Sequence, residues 1–166
     1  MIESMIYLLF LISILLFSAG IGGWLAAPYV PTRGRDIPRF LELAGIKPGE
    51  KVYDPGCGDG KILVAAASRG AEARGFEISI LNYLFCKIFR PQIKVRFKNF
   101  FKADFREADI VYMFLSPKAH KKMGEILRKQ MKKGSRIITY AWPIEGWEPE
   151  KINHAANQPD LFLYKI

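Results

Sequence analysis

Charge is nearly absent from the first thirty-two residues, where Glu3 is the one charged side chain, and all 25 lysines and arginines lie from Arg33 onward. Cysteine is just as scarce. Cys57 and Cys86 are the two present, too few for the disulfide framework of a small secreted domain and better suited to a reducing compartment. The two histidines, His120 and His154, share no metal-ligand spacing with the cysteines, so no metal is expected. No repeat or low-complexity tract occurs, and a composition half apolar and a quarter charged excludes a long disordered chain. What remains is one compact domain of ordinary size with an uncharged stretch in front of it. The body carries all 25 bases and 15 of the 16 acids, an excess of about +10 that favours anionic partners.

Met5 to Ala27 is an unbroken uncharged run of 23 residues. As a helix it would span about 34 Å at roughly 1.5 Å per residue, enough to cross a bilayer. The glycines from Gly20 to Gly23 are tolerable there, because lipid offers the backbone no alternative to internal hydrogen bonds. Trp24 and Tyr29 stand where an interfacial aromatic belt would. A cleaved signal peptide is the rival reading, with Ala26 and Ala27 as a small-residue cleavage region, but Met1 to Ser4 lacks the basic side chain such a leader carries. Residues 1–28 are therefore expected to be a transmembrane anchor and 29–166 the functional domain. Arg33, Arg35, Arg39 and Lys47 follow the segment closely, which by the positive-inside rule puts the domain in the cytoplasm.

The body alternates helix and strand signals. Pro28 to Arg35 reads as an extended linker, after which Asp36 is expected to cap a short helix with Ile37, Phe40, Leu41 and Ala44 on one face and Gly45 at its end. Strands are expected at Lys51–Asp54, Ala73–Glu77, Lys94–Phe97, Ile110–Leu115, Arg136–Ala141 and Leu161–Ile166. Helices are expected from Lys61 to Ser68, from Ile80 to Phe89 behind a Ser79 cap, and from Ser116-Pro117 to near Gly134. Strands separated by helices mean an α/β fold, a Rossmann-like doubly wound and mostly parallel sheet covered on both faces.

The loop after the first strand, Asp54-Pro55-Gly56-Cys57-Gly58-Asp59-Gly60, places three alternating glycines between a strand and a helix start. A dinucleotide fingerprint would need glycine at position 61, which is Lys, so this is no pyrophosphate cradle. The leading carboxylate of Asp54 suits a ligand bearing an ammonium group. Glu77 ends the next strand at the same edge of the sheet, where an acid can accept both hydroxyls of a ribose. Asn99, Phe100 and Phe101 close the third strand with an amide and aromatics, able to bond and pack against a base, with at least one of the phenylalanines in the core.

These residues resemble the S-adenosylmethionine site of class I, seven-strand methyltransferases. Pro31-Thr32, Tyr53-Asp54, Gly56 to Ile62, Gly75-Phe76-Glu77, Asn99-Phe100-Phe101 and Gly146-Trp147-x-Pro149 together resemble one protein-lysine methyltransferase family, which includes a broad-specificity archaeal enzyme and membrane-anchored mitochondrial relatives. Pro55 departs from the Leu or Ile usual in the wider class. The resemblance implies S-adenosylmethionine as cofactor, held by Asp54, Gly56, Cys57, Gly58, Gly60, Glu77, Asn99 and Phe100, and a lysine of a protein as acceptor.

Methyl transfer to an amine needs alignment and a deprotonated nucleophile. For a lysine with a reference pKa near 10.4, deprotonation at pH 7 costs about 4.6 kcal/mol, which an apolar channel and a nearby positive charge would reduce. No dedicated base is expected and no catalytic residue is assigned. Pro31, Thr32, Ser116, Pro117, Trp142 and Trp147 are the candidates for an acceptor channel. Ser116-Pro117 stands where related amino-methylating enzymes carry a longer polar-Pro-Pro-aromatic motif, and the plainer reading is a helix N-cap followed by Pro. The two tryptophans have core packing as their default. Lys118, Lys121, Lys122, Arg128, Lys129, Lys132 and Lys133, with Lys87, Arg90, Lys94, Arg96 and Lys98, form basic faces that suit anionic lipid beside the anchor. An acceptor in a lipid, a quinone-like molecule or RNA, and a tethered module without activity, are the alternatives. The basic surface permits nucleic acid, and the anchor argues against it.

Overall fold

The computed structural model describes residues 2–10, 13 and 30–166. Residues 2–10 are helical and exposed. Most of the apolar stretch Met5 to Ala27, with Trp24 and Tyr29, lies outside the described residues, and among the described residues no helix is long and apolar enough to cross a membrane.

The body contains β1 (Lys51–Pro55), β2 (Glu72–Glu77), β3 (Lys94–Phe97), β4 (Ile110–Met113), β5 (Arg136–Tyr140), β6 (Lys151–Asn153) and β7 (Leu161–Lys165). Its helices are α1 (Ile37–Ala44), α2 (Lys61–Ala67), α3 (Ile80–Phe89) and α4 (Pro117–Gln130). The seven strands form one sheet in the order β3-β2-β1-β4-β5-β7-β6. The first five run parallel, and β7 is antiparallel to both β5 and β6. All five parallel strands therefore end at one edge, where chain reversal leaves room for a ligand.

The core forms two layers, one on each face of the sheet. Val52, Ile110, Tyr112, Ile138 and Leu161 pack with Phe40 of α1 and Ile62 of α2. Tyr53, Val111, Met113, Ile137 and Tyr164 pack with Met123 and Leu127 of α4. Leu127 and Met123 are completely buried, and each contributes about 1.5 to 3 kcal/mol through the apolar surface it removes from water.

The sheet is not covered on both faces throughout. The β3–β4 connection contains a 3-10 turn, Phe100–Lys102, where a doubly wound fold places a helix. A cleft of about 340 Å³ consequently opens over the β1–β3 flank, lined by Tyr53, Arg74, Phe76, Lys94 and Arg96 among others.

Several ends differ from the sequence expectation for local reasons. β4 stops at Met113, because the Leu115 N–H turns away to the side chain of His120. β5 stops at Tyr140, because Ala141 takes a left-handed φ of 69°. Gly45 closes α1 at φ 54°, as its position implies. Asp36 does not cap that helix. It sits in a 3-10 turn, Gly34–Asp36, and its buried carboxylate accepts from Tyr140 Oη at 2.6 Å and from Arg39 Nη1 at 3.1 Å.

Strand β6 has no clear sequence signal, and its position depends on Arg39. That guanidinium donates to Asn153 Oδ1 (2.8 Å), Asn153 O (2.7 Å) and Pro159 O (3.0 Å), tying α1 to the β6–β7 hairpin. Removing it would leave the buried Asp36 charge without its cation. Arg39→Ala is expected to cost about 2 to 4 kcal/mol of stability, with incomplete rescue by Arg39→Lys, which lacks the fork. Denaturant unfolding checks this, and a loss below about 1 kcal/mol would contradict the assigned role.

Candidate functional site

The strand β1 delivers its chain into the glycine loop at the carboxyl edge. Gly56, Gly58 and Gly60 all take left-handed backbone (φ 79°, 53° and 73°), so the loop folds back on itself within five residues. At Gly60 a side chain is also excluded by space, since a Cβ would stand 2.6 Å from Ile93 Cδ1. The Gly56 and Cys57 N–H groups both donate to Phe76 O, at 2.8 and 3.2 Å, and clamp the loop to the end of β2. Pro55, the departure from the wider class pattern, completes β1 in register with Phe76 and leaves that clamp intact.

Two acids at this edge have opposite surroundings. Glu77 is buried and well satisfied: Oε2 accepts the Gly58 N–H at 2.8 Å, and Oε1 accepts those of Ile78 at 2.8 Å and Ser79 at 2.7 Å. A carboxylate has about four lone-pair sites, so three are filled and the capacity to accept two further hydroxyls narrows to one. Asp54 is buried too, yet among the described residues its carboxyl has no hydrogen-bond or ion-pair partner. Burial, with the nearby Glu77 and Asp59, pushes that carboxyl well above the usual carboxylate range. In a chain of net charge +9, this edge gathers three acids, Asp54, Asp59 and Glu77, which suits a cationic ligand.

The remaining expected residues divide. Cys57 and Cys86 are buried free thiols. Cys57 sulfur lies under the loop against Gly75, where it would stand 2.6 Å from an added Cβ, so the open side receives backbone from Cys57 and not its thiol. Cys86 Sγ supports the loop from below at 3.2 Å from Gly58 O. Asn99 Oδ1 accepts the Phe101 N–H at 3.0 Å, which commits its oxygen to the turn and leaves the amide nitrogen for a ligand. Phe100 is the core member of its pair, packed with Leu115 beneath Gly56, and it supports the site from below.

Pro31 is exposed and Thr32 is buried. Thr32 Oγ1 and Tyr112 Oη lie 2.7 Å apart and fasten the segment before α1 to β4. Burial pushes the Tyr112 phenol well above its ordinary range, and Asp54 is among the neighbouring charges that add to this. The Tyr140–Asp36 bond makes a second fastening on β5, with the Tyr140 phenol pushed up to about 12 by burial and by that bond. Ser116 caps α4 by accepting the Ala119 N–H at 3.4 Å, and Pro117 occupies the first turn, which is the plainer of the two sequence readings. Trp142, half exposed, follows β5 at the same edge. Trp147 does not join them: its ring packs against Tyr164, Gly124 and the Arg128 guanidinium (4.0 Å) on the flank of α4.

His120 was missed by sequence reasoning as a positioning residue. Completely buried on α4, its Nε2 accepts the Leu115 N–H at 3.1 Å and its Nδ1–H donates to Trp142 O at 3.0 Å. Thr139 Oγ1 donates to that same carbonyl at 2.7 Å. One neutral imidazole thus joins the ends of β4 and β5. Burial pushes its pKa down to about 4. Among the described residues no group of three His, Cys, Asp or Glu is placed to hold a metal ion.

Known proteins resemble this chain in both sequence and shape. The ANTKMT methyltransferase domain matches residues 54–151. A protein-lysine N-methyltransferase of Saccharolobus islandicus (strain REY15A) is 34% identical over 150 residues, which are 84% of this chain and 93% of that protein. The adenine nucleotide translocase lysine N-methyltransferase of Mus musculus is 27% identical, covering 75% of this chain and 57% of its own. The chain thus spans nearly all of the Saccharolobus relative and a little over half of the mouse one. Among solved structures, an RNA methyltransferase from Salinibacter ruber in complex with S-adenosyl-L-homocysteine superposes with a TM-score of 0.78 at 28% identity, over 82% of this chain and 94% of that one. The seven-strand mixed sheet is that of class I methyltransferases.

Because His120 binds its proton far less readily folded than unfolded, the unfolded chain takes up more protons between its ordinary pKa of 6.5 and about 4. The resulting stability is complete above pH 6.5 and is lost as pH falls through that window, by roughly 3 kcal/mol. In His120→Gln, whose amide keeps one donor and one acceptor, this part of the acid sensitivity should vanish. Unfolding midpoints of the two proteins across the window provide the check, and parallel curves would contradict the assignment.

Proposed function

The chain belongs to the ANTKMT methyltransferase family, and from that premise we propose that it methylates lysine side chains of proteins with S-adenosylmethionine as donor. The observation that carries this reading is Asp54, a buried carboxyl with no partner among the described residues at the edge of a glycine loop, beside a second acid with room for one hydroxyl. A sulfonium nucleoside carrying an α-ammonium group and a ribose fits both. Asp54 would offset its positive charge, Glu77 would accept a ribose hydroxyl, and the Gly56–Gly60 backbone and the Asn99 amide would frame it. When bound, S-adenosylmethionine supplies an electrophilic methyl group on sulfur.

The chain's own residues act on the acceptor. His120 has both ring nitrogens engaged and is neutral, so it is not a base for the incoming lysine. Deprotonation falls to desolvation at the mouth, where Thr32, Ser116, Pro117 and Trp142 border the site and Pro31 leads into it. An apolar wall there disfavours the ammonium form and lowers the cost of about 4.6 kcal/mol at pH 7. The acids Asp59 and Glu77 at the rim draw a cationic side chain inward.

The reading includes residues 1–28 as an anchor, with 29–166 on its cytoplasmic side and the basic surface against anionic headgroups. Support comes from the charge-free run Met5 to Ala27 and the arginines that follow it. Substrates would then be proteins in or near the membrane. The RNA methyltransferase named above and the net charge favour RNA as a second reading.

Incubation of the chain with methyl-labelled donor, membrane proteins, lipid and RNA separates these readings. Label in acid-stable lysine of protein is expected, and label confined to RNA or to the organic phase would overturn the lysine assignment. Asp54→Asn is expected to lower donor affinity at least tenfold, about 1.4 kcal/mol, while the ligand-free protein unfolds at the same or a higher denaturant concentration, because a desolvated acid has been removed. Calorimetric titration with S-adenosylmethionine and an unfolding curve check the two halves.

A further inference from the structure

Helix α3 shows the solvent an apolar face. Leu81 (47% exposed), Leu84 (46%), Phe85 (38%), Ile88 (66%) and Phe89 (62%) recur at the spacing of one helical stripe, and Cys86 is the one residue of the helix that is buried. Phe97 of β3, 53% exposed, contacts Tyr83, which packs toward the core and is not part of the stripe. Large apolar side chains in a contiguous exposed group mark a contact surface.

Charge identifies the occupant. From Ile78 to Ala103 the chain carries six Lys and Arg and no acid, among them Lys87 within α3, Arg90 at its end and Lys94 just beyond. The Arg90 guanidinium lies 5.6 Å from the Phe85 ring, so cation and apolar stripe meet at one border. A second copy docking here would bring two acid-free cationic belts together. Chain segment Met5 to Ala27 would cover the stripe but leave the belt unpaired, since it has no acid. An anionic bilayer surface satisfies both features.

We propose that α3 lies in the interface of an anionic membrane, its apolar stripe among the upper acyl chains and its cations at the headgroups. This rests on the reading of Met5 to Ala27 as an anchor, which brings the domain to the bilayer. It adds an orientation: Ser79 caps α3 directly after Glu77, so the docked helix holds the ligand edge of the sheet at headgroup level. Accessible lysines would be those near the membrane surface.

The test uses the full chain with Ile88→Cys, or Leu84→Cys, carrying an environment-sensitive fluorophore, reconstituted into phosphatidylcholine vesicles with or without phosphatidylserine. Wild type, whose two cysteines are buried, sets the labelling background. With phosphatidylserine, the fluorophore should shift to the blue and be quenched by a nitroxide near the top of the acyl chain. In a Lys87→Glu, Arg90→Glu background most of that quenching should be lost while the chain still floats with the vesicles. A label quenched from the water, or shielded from both quenchers by protein, in a chain that floats would overturn the docking of α3 and leave the anchor reading standing. Lipid quenching indifferent to phosphatidylserine and to the glutamates would overturn the charge-guided proposal. Failure to float would overturn the anchor reading and this one with it.

Discussion

A desolvated carboxyl with no partner among the described residues is the constraint around which this protein is arranged. Asp54 lies near the end of β1, below the surface and beside another acid, and nothing among the described residues compensates it. Folding alone would remove such a group, because an apolar residue there would cost less. Its neighbour Glu77 shows the alternative: three backbone N–H groups hold that side chain and set its orientation. One acid is thus a fixed acceptor and the other an unmet demand for positive charge. Ligand chemistry follows from that asymmetry more than from the glycine loop, which supplies the space.

The surrounding polar links are buried and reach across the sequence. Two tyrosines, on adjacent strands, fasten the segment before α1: Tyr112 to Thr32 and Tyr140 to Asp36. Arg39 then carries the same tie to the far β6–β7 hairpin, and His120 joins the ends of β4 and β5. Burial makes these links stiff, since a broken partner would be left unsatisfied. The mouth near Trp142 is held the same way, with Ala141 kept in a left-handed conformation by its bond to Asp160 O and by the two donors on the Trp142 carbonyl.

Much of this is legible in the sequence because the signals are local. Alternating glycines after a strand, an acid at the end of the next strand, Gly45 after α1, and Ser79 and Ser116 before their helices all act on their own neighbourhood. What stays hidden is non-local. Asp36 has the look of a helix cap, but its partner is a phenol far along the chain. Strand β6 has three residues and is exposed on two of them, so it carries neither a hydrophobic run nor an alternation, and the pairing with β7 and the Arg39 bonds define it. Trp147 and Trp142 are equivalent by composition and only tertiary packing separates them. A tyrosine in a buried strand reads as core, although a buried phenol always implies a partner to be found. Strand and helix alternation overstates the covering of the sheet, because the residues between β3 and β4 form a single 3-10 turn in place of a helix.

Proton release on ligand binding tests the central claim most directly. Titrating the protein with S-adenosylmethionine in buffers of different ionisation heat measures it, and a positive ligand settling beside Asp54 should expel the proton that burial holds there. The account predicts net release that grows as pH is lowered toward the Asp54 titration, and none when Asp54 is replaced by Asn. Binding of equal strength with no proton exchanged at any pH would contradict it.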